Sequence, residues 1–276
     1  MKRLLAAALV LFTAPALAAP QRIVSLNPCL DTDVIHLADR GQIAALSHWA
    51  HEPESTTISD LACGLPITYE TAEEIILFKP DLVLTSRHSS LATRTALARV
   101  GVQTELFDEP RSVEESIDQV RRVARLVGHE DRGEAMASRI EAALATAAPP
   151  PGTPPVTALI FQRNGFSTGA HSLVDEMMTR TGFVNVASRY GLKSWGNVSL
   201  EPIIADPPQV LLAGEIAPGM PTWADRVLRH PALAAVGSRM KRATFPDTLM
   251  YCGGPVLIQS AAALAAARAG APGVAP

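Results

Sequence analysis

Thr71-Ala72-Glu73-Glu74-Ile75-Ile76-Leu77-Phe78-Lys79-Pro80-Asp81-Leu82-Val83-Leu84 aligns without a gap on Ser199-Leu200-Glu201-Pro202-Ile203-Ile204-Ala205-Asp206-Pro207-Pro208-Gln209-Val210-Leu211-Leu212. Each copy opens on a hydroxyl residue suited to a helix N-cap, and Thr71 with Glu74 has capping-box spacing. Glu73 and Glu201 then fall in the first helical turn, where the dipole favours an anion, and paired isoleucines supply the buried side. Pro80 and Pro208 end the helix, because the residue before a proline is pushed out of the α region. The apolar runs that follow, Leu82 to Leu84 and Val210 to Leu212, read as fully buried parallel strands. The pattern predicts two α/β halves built to one plan, each presenting a carboxylate at the same structural address.

Outward from the first copy, Arg22 to Leu26, Ile43 to Leu46, Leu82 to Thr85 and Val102 to Leu106 read as four strands of one parallel sheet. Asn27-Pro28 reads as an N-cap followed by a proline at the first helical position, so the turn from Asn27 to Cys29 lies at the carboxyl end of a strand. Ligands of open α/β sheets gather at that edge. Ser112 with Glu115 is a second capping-box match. Val113, Ile117, Val120, Ala124 and Val127 then recur at helical spacing until Gly128 interrupts. A further helix from about Asp131 to Ala147 completes the longest helical region, which lies between the two copies of the repeat. The run Pro149-Pro150-Pro151-Gly152-Thr153-Pro154-Pro155 ends it and marks a boundary. Beyond it, Val156 to Phe161, Val210 to Leu212 and Arg242 to Phe245 read as strands. Ser172 caps a helix through Thr181 with Gly182 after it, and Ser260 to Arg268 closes the chain before a Gly/Ala/Pro tail expected to fray.

Lys2 and Arg3 precede an apolar run from Leu4 to Phe12, and Ala16-Leu17-Ala18 supplies a small-residue cleavage pattern, so residues 1–18 read as a secretory signal peptide. No cysteine stands at the cleavage site and no later apolar run approaches the roughly 18 to 20 residues of a membrane span. The expectation is a soluble, exported, periplasmic protein. Organisation follows as an N-terminal α/β lobe over 19–110, a bridging helical region over 111–148 and a C-terminal α/β lobe over 149–276. With 47% apolar residues the chain can build a large core, and 24 basic against 27 acidic residues without a like-charge block argue against nucleic acid as a partner. Three cysteines, Cys29, Cys63 and Cys252, permit at most one internal disulfide and leave a thiol over, and spacing does not name the pair. Cys29 and Cys252 read as small buried side chains rather than as a disulfide across the two lobes.

Enzyme signatures are sparse: there is no P-loop, H-E-x-x-H or G-x-G-x-x-G after a strand, and no local pattern ties a serine, a histidine and an acid together. His48, His51, His88 and His171, with Cys29 or Cys252, could ligate a metal directly, yet no carboxylate completes a clear set and ordinary rim histidines are the competing reading. Aromatic content is only 5%, so the aromatic and polar residues placed near strand ends carry more weight: Trp49, Arg87, Gln162, Arg163, Trp195 and Tyr251. Those types build the apolar, aromatic walls and sparse polar groups of a ligand pocket. For Trp49 and Trp195 the competing reading is simple packing.

Arg22-Ile23-Val24-Ser25-Leu26, Glu73 followed by Lys79-Pro80-Asp81-Leu82-Val83, the long helical region and the second lobe with Glu201 together resemble a substrate-binding protein of an ABC importer. The similarity is to the helical-backbone class that binds vitamin B12, ferric siderophores or haem, and it covers nearly the whole exported chain. It implies two Rossmann-like lobes bridged by a long α-helix, a cleft between them that holds a metal chelate, and little lobe movement. It also implies no enzymatic activity, no cofactor, a monomer, and a permease in the inner membrane as partner. By motif position, the lobe-tip glutamates that dock on the permease fall on Glu73 and Glu201, with Glu74 an adjacent competitor. Candidate ligand-binding residues are Cys29, Trp49, Arg87, Gln162, Trp195 and Tyr251. Asn27-Pro28-Cys29 and Tyr251-Cys252-Gly253-Gly254 match no specificity signature, so the chelate stays open among a corrinoid, a ferric siderophore and haem. A free Zn/Mn binder of the same superfamily and an exported α/β enzyme are the alternatives.

Overall fold

The side chain of Asn27 accepts from the Cys29 and Leu30 amides at 2.9 and 3.2 Å and so starts the first helix where the proline at its first position leaves no amide to satisfy. The computed structural model describes residues 19–162, 165–214, 230–237 and 239–271. The expected signal peptide, Arg163 and the tail after residue 271 lie outside them. The first lobe runs β1 (Ile23–Ser25), α1 (Pro28–Leu37), β2 (Ile43–Ser47), α2 (Ser59–Ala62), β3 (Ile67–Thr68), α3 (Ala72–Leu77), β4 (Leu82–Ser86), α4 (Leu91–Arg99) and β5 (Thr104–Phe107). Its strands form one parallel sheet in the order β3-β2-β1-β4-β5. β3 went unread in the sequence because two residues carry no periodicity.

α5 (Val113–Val127) and α6 (Glu130–Ala147) follow. Ser112 accepts from the Glu115 amide at 3.0 Å and so caps α5, while the Glu115 carboxylate reaches back one residue past the capping-box position to accept from the Arg111 amide at 2.7 Å. Gly128, at φ 84°, ends it, because that left-handed conformation costs a residue with a Cβ. The chain then reverses, and α6 packs back along α5, with Arg121 of one bonded to Glu134 of the other at 3.0 Å. The bridging region is therefore a helix pair, with α6 carrying the chain from the first lobe to the second.

The second lobe contains β6 (Val156–Ile160), β7 (Phe166–Ser167), α7 (Leu173–Arg180), β8 (Phe183–Asn185), β9 (Gly196–Asn197), α8 (Leu200–Ala205), β10 (Val210–Ala213), β11 (Lys241–Thr244) and a closing helix, Val256–Ala269. Its parallel sheet has the order β11-β10-β6-β8, and β7 pairs antiparallel with β9. The repeat holds in three dimensions. α3 and α8 each span 6 residues, β4 and β10 begin at the aligned residues, and each strand lies beside the first strand of its own sheet. One apolar cluster runs from Ile23 and Leu84 through Val120, Val123 and Ile140 to Ile160, Leu212 and Leu264, so the lobes share a core through α5 and α6. A shared core resists large lobe rotation, since moving one lobe would expose packed apolar surface.

Two carboxyls on α1 are fully buried in that core. Asp31 accepts from the Ser47 amide at 3.2 Å and Asp33 from the Gln119 side chain at 3.1 Å, which ties α1 to β2 and to α5. Burial pushes both up to about 7, against the smaller lowering effect of those hydrogen bonds. Between the ordinary carboxyl value of 3.8 and about 7, the folded chain holds a proton that the unfolded chain has released, so the stability due to each group is lost as pH rises through that window. Asp33→Asn removes one of the two groups. Urea unfolding at pH 5 and pH 8 is expected to show the variant gaining on the wild type by on the order of 3 kcal/mol at the higher pH; a constant difference would contradict the buried protonated carboxyl.

Candidate functional site

The carboxyl ends of the first-lobe strands face the second lobe across a cavity of about 880 Å³. Asn27, Ser86 and Phe107 sit at the ends of β1, β4 and β5, Cys29 lies in the first turn of α1, and one exposed stripe of α5 closes a side with Glu115, Gln119 and Arg122. The second lobe contributes His171 to Val174, Trp195, Met250 and Tyr251. Trp195 stacks on Phe166 with ring centroids 5.7 Å apart, and Tyr251 stands 6.4 Å from each of them, so three rings form one aromatic wall. Trp195 and Tyr251 keep 44% and 54% of their surface exposed, which leaves area for a flat apolar partner. The β7–β9 pairing builds this wall, because it sets Phe166 opposite Asn197 and so beside Trp195.

Among the described residues, charge around the cavity is balanced. Asp108, Glu109, Glu115 and Asp118 line it together with Arg111, Arg121, Arg122 and Arg125. Several are already committed: Arg122 lies 4.2 Å over the Phe107 ring and bonds Glu105 at 2.8 Å, while Arg121 bonds Glu134 at 3.0 Å.

Of the sequence candidates, Cys29, Trp195 and Tyr251 meet at the cavity and the other three do not. Trp49 follows β2 in a 3₁₀ turn and packs at a tilt against His48, centroids 4.4 Å apart, which in turn stacks on Tyr69 at 5.1 Å. Arg87 is paired with Asp108 at the surface, its second bond measuring 3.2 Å, and the arginine holds the Asp108 carboxyl below its usual range. Gln162 is buried within the second lobe and donates to the Phe245 carbonyl at 2.8 Å, joining the ends of β6 and β11. Strand-end position alone selected these residues, and it does not say which way a side chain turns. Phe166 and Phe107 escaped the sequence reading, where only their nearness to strand ends could have flagged them, and His171 drew attention only as a possible direct metal ligand.

The cysteine reading is corrected outright: Cys29 and Cys252 form a disulfide with Cα atoms 5.0 Å apart, and Cys63 is free and exposed. A separation of 223 residues hides such a pairing from any local pattern. The histidines are dispersed, with His51 on the Ala62 carbonyl at 3.1 Å, His88 on Glu109 at 3.3 Å and His171 in the cavity. Among the described residues no three His, Cys, Asp or Glu side chains converge as a metal-ion set.

The two aligned glutamates lie outside the cavity and are exposed. Glu74 turns inward and accepts from Thr68 Oγ1 at 3.0 Å and from the Tyr69 amide at 2.9 Å, leaving Glu73 as the outward carboxylate of α3. Thr71 caps α3 by accepting from the Glu74 amide at 3.3 Å. Ser199 cannot do the same for α8, because Pro202 stands where that amide would be. Its hydroxyl instead bonds the Glu201 carboxylate, which, with a backbone N–H, holds that group below its ordinary range.

The family described as periplasmic binding protein matches residues 23–238. A cobalamin-binding protein of Halobacterium salinarum is 23% identical over 200 residues, covering 71% of this chain and 54% of its own length. The chain thus spans about half the length of the curated relatives it matches. Among solved structures, the apo periplasmic heme-binding protein RhuT from Roseiflexus sp. RS-1 is similar with a TM-score of 0.67 and 25% identity, over 90% of this chain and 98% of that one. The periplasmic vitamin B12 binding protein BtuF of Vibrio cholerae is similar with a TM-score of 0.66 and 17% identity, over 90% of this chain and 96% of that one. No helix among the described residues is long and apolar enough to cross a membrane.

Proposed function

Since the chain belongs to the periplasmic binding protein family, a family of substrate-binding proteins and not of enzymes, we propose that it is the binding component of an ABC importer for a metal chelate, a corrinoid before a ferric siderophore or haem. The observation that carries this reading is a large aromatic-walled cavity whose charges are balanced. Its size is near the upper end of small-molecule sites, which are typically about 300 to 1,000 Å³. Among the described residues, four acids beside four arginines give the cavity no net attraction for a multiply charged anion, whereas the neutral amides around a corrin ring both donate and accept. Trp195 and Tyr251, backed by Phe166, would lie against the ligand's apolar surface, with Asn27, Ser86 and Gln119 meeting its polar edge. Haem is the second reading, favoured by the Tyr251 hydroxyl and the His171 imidazole on the cavity wall, either of which can ligate iron. Residues 1–18 would direct export, and Glu73 and Glu201 would dock on a permease.

Calorimetric titration of the exported protein with cyanocobalamin, haem and ferric siderophores tests the reading. Saturable one-to-one binding, strongest for the corrinoid, is expected. Binding of none of them would overturn it, and tightest binding of an anionic chelate would remove the charge-balance argument.

A further inference from the structure

Cys29 lies in the first turn of α1 in the first lobe, and Cys252 lies in the second lobe between β11 and the closing helix. Their bond therefore joins the two lobes covalently beside the cavity, which Cys29, Tyr251 and Gly253 line. The surrounding backbone is fitted to that junction. The Gly254 amide donates to Ser116 Oγ at 2.6 Å, which lays the loop on α5. Gly254 holds φ 61°, and a Cβ there would run into the buried Asp33 carboxyl of α1. A Cβ on Gly253 would come 3.2 Å from Pro110 Cγ and closer still to Ser116. The same loop carries Tyr251, whose carbonyl oxygen is 3.7 Å from Cys29 Sγ.

Tyr251 is thus held from both sides. Its ring neighbours, Trp195 and Phe166, belong to the second lobe, while the backbone next to it is clamped to α1 and α5. A loop in this position would otherwise have to be ordered when a ligand arrives, and ordering on binding subtracts from affinity.

We propose that the Cys29–Cys252 disulfide is a positioning device for ligand capture, fixing Tyr251 at the cavity and setting the spacing of the aromatic wall from Asn27 and Phe107 before a ligand enters. The ligand part rests on the cleft being the binding site, as proposed above; the clamp itself does not. Opening the bond takes two electrons and two protons, which dithiothreitol supplies as it closes to its own cyclic disulfide, leaving two thiols on the protein.

The test compares the oxidised full-length exported protein with the Cys29→Ser/Cys252→Ser variant and with wild type reduced by dithiothreitol, so that a folding failure of the variant leaves the reduced protein to decide. Cys63→Ser serves as the control that keeps the bond. Cyanocobalamin affinity is expected to fall about tenfold in both disulfide-free forms, as the bound conformation becomes one of several. Amide exchange in the absence of ligand is expected to rise at residues 250–255 and in the first turn of α1, with the β6 and β10 amides unchanged. Unchanged affinity, unchanged exchange at the loop, or three free thiols in the oxidised protein would each overturn the proposal. If the oxidised protein does not bind cyanocobalamin at all, the corrinoid reading fails separately, and ligand-free exchange still decides whether the bond holds the loop.

Discussion

Replacing Glu73 and Glu201 together by arginine is expected to abolish ligand uptake in cells while leaving ligand affinity unchanged. Both carboxylates stand on the first turn of a short helix, at aligned positions of two copies of one unit, and both face solvent away from the cavity. A permease of two-fold or pseudo-two-fold symmetry offers equivalent basic pockets to equivalent surfaces, whereas a cleft between unlike lobes has no need of matched acids. Rim charges of this kind act on orientation and encounter, so single substitutions should weaken uptake in a salt-dependent way. Reversal of both replaces attraction by repulsion at each contact. If the glutamates only complement their own helix dipoles, uptake by the double variant will be normal at normal protein level, and the docking proposal fails. Lost ligand affinity would instead place both residues in binding.

Trp195→Ala is expected to weaken ligand binding by about 2 kcal/mol or more, roughly thirtyfold in Kd. Trp195 lines the cavity and packs against both Phe166 and Tyr251, and its truncation removes the largest aromatic surface of that wall. Arg87→Ala is the informative contrast. Its guanidinium is spent on Asp108 at the exposed rim, where solvent screens the pair and leaves it little energetic weight, so affinity should change little. Titration of both variants with the same chelate checks the pair. Equal affinities for Trp195→Ala and wild type would show that the ligand does not use this wall, and a larger loss for Arg87→Ala would shift the site to the rim.

Local chemistry is what the sequence carried well. N-caps at Asn27, Thr71, Ser112 and Ser172, the left-handed Gly128 and the prolines after α3 and α8 act within a few residues of themselves, so their consequences are written where they stand. The duplicated unit then determined the two-lobed plan, because a helix, a proline and a buried strand at equal spacing permit only equal local folds. Short elements such as β3, β7 and β9 escaped, as two residues cannot show a period. What the tertiary structure alone decided is everything set by through-space encounter. Cys29 meets Cys252 because two lobes fold face to face, Gln162 and Trp49 turn away from a cleft that their strand-end positions suggested, and Arg87 is taken by Asp108. Even Glu73 and Glu74, adjacent in the chain, were separated only by packing: one hydroxyl and one amide of β3 and the turn after it hold Glu74 inward, and Glu73 is left to the surface. Sequence spacing states which backbone position a residue occupies, whereas the direction and partner of its side chain depend on atoms contributed from elsewhere in the fold.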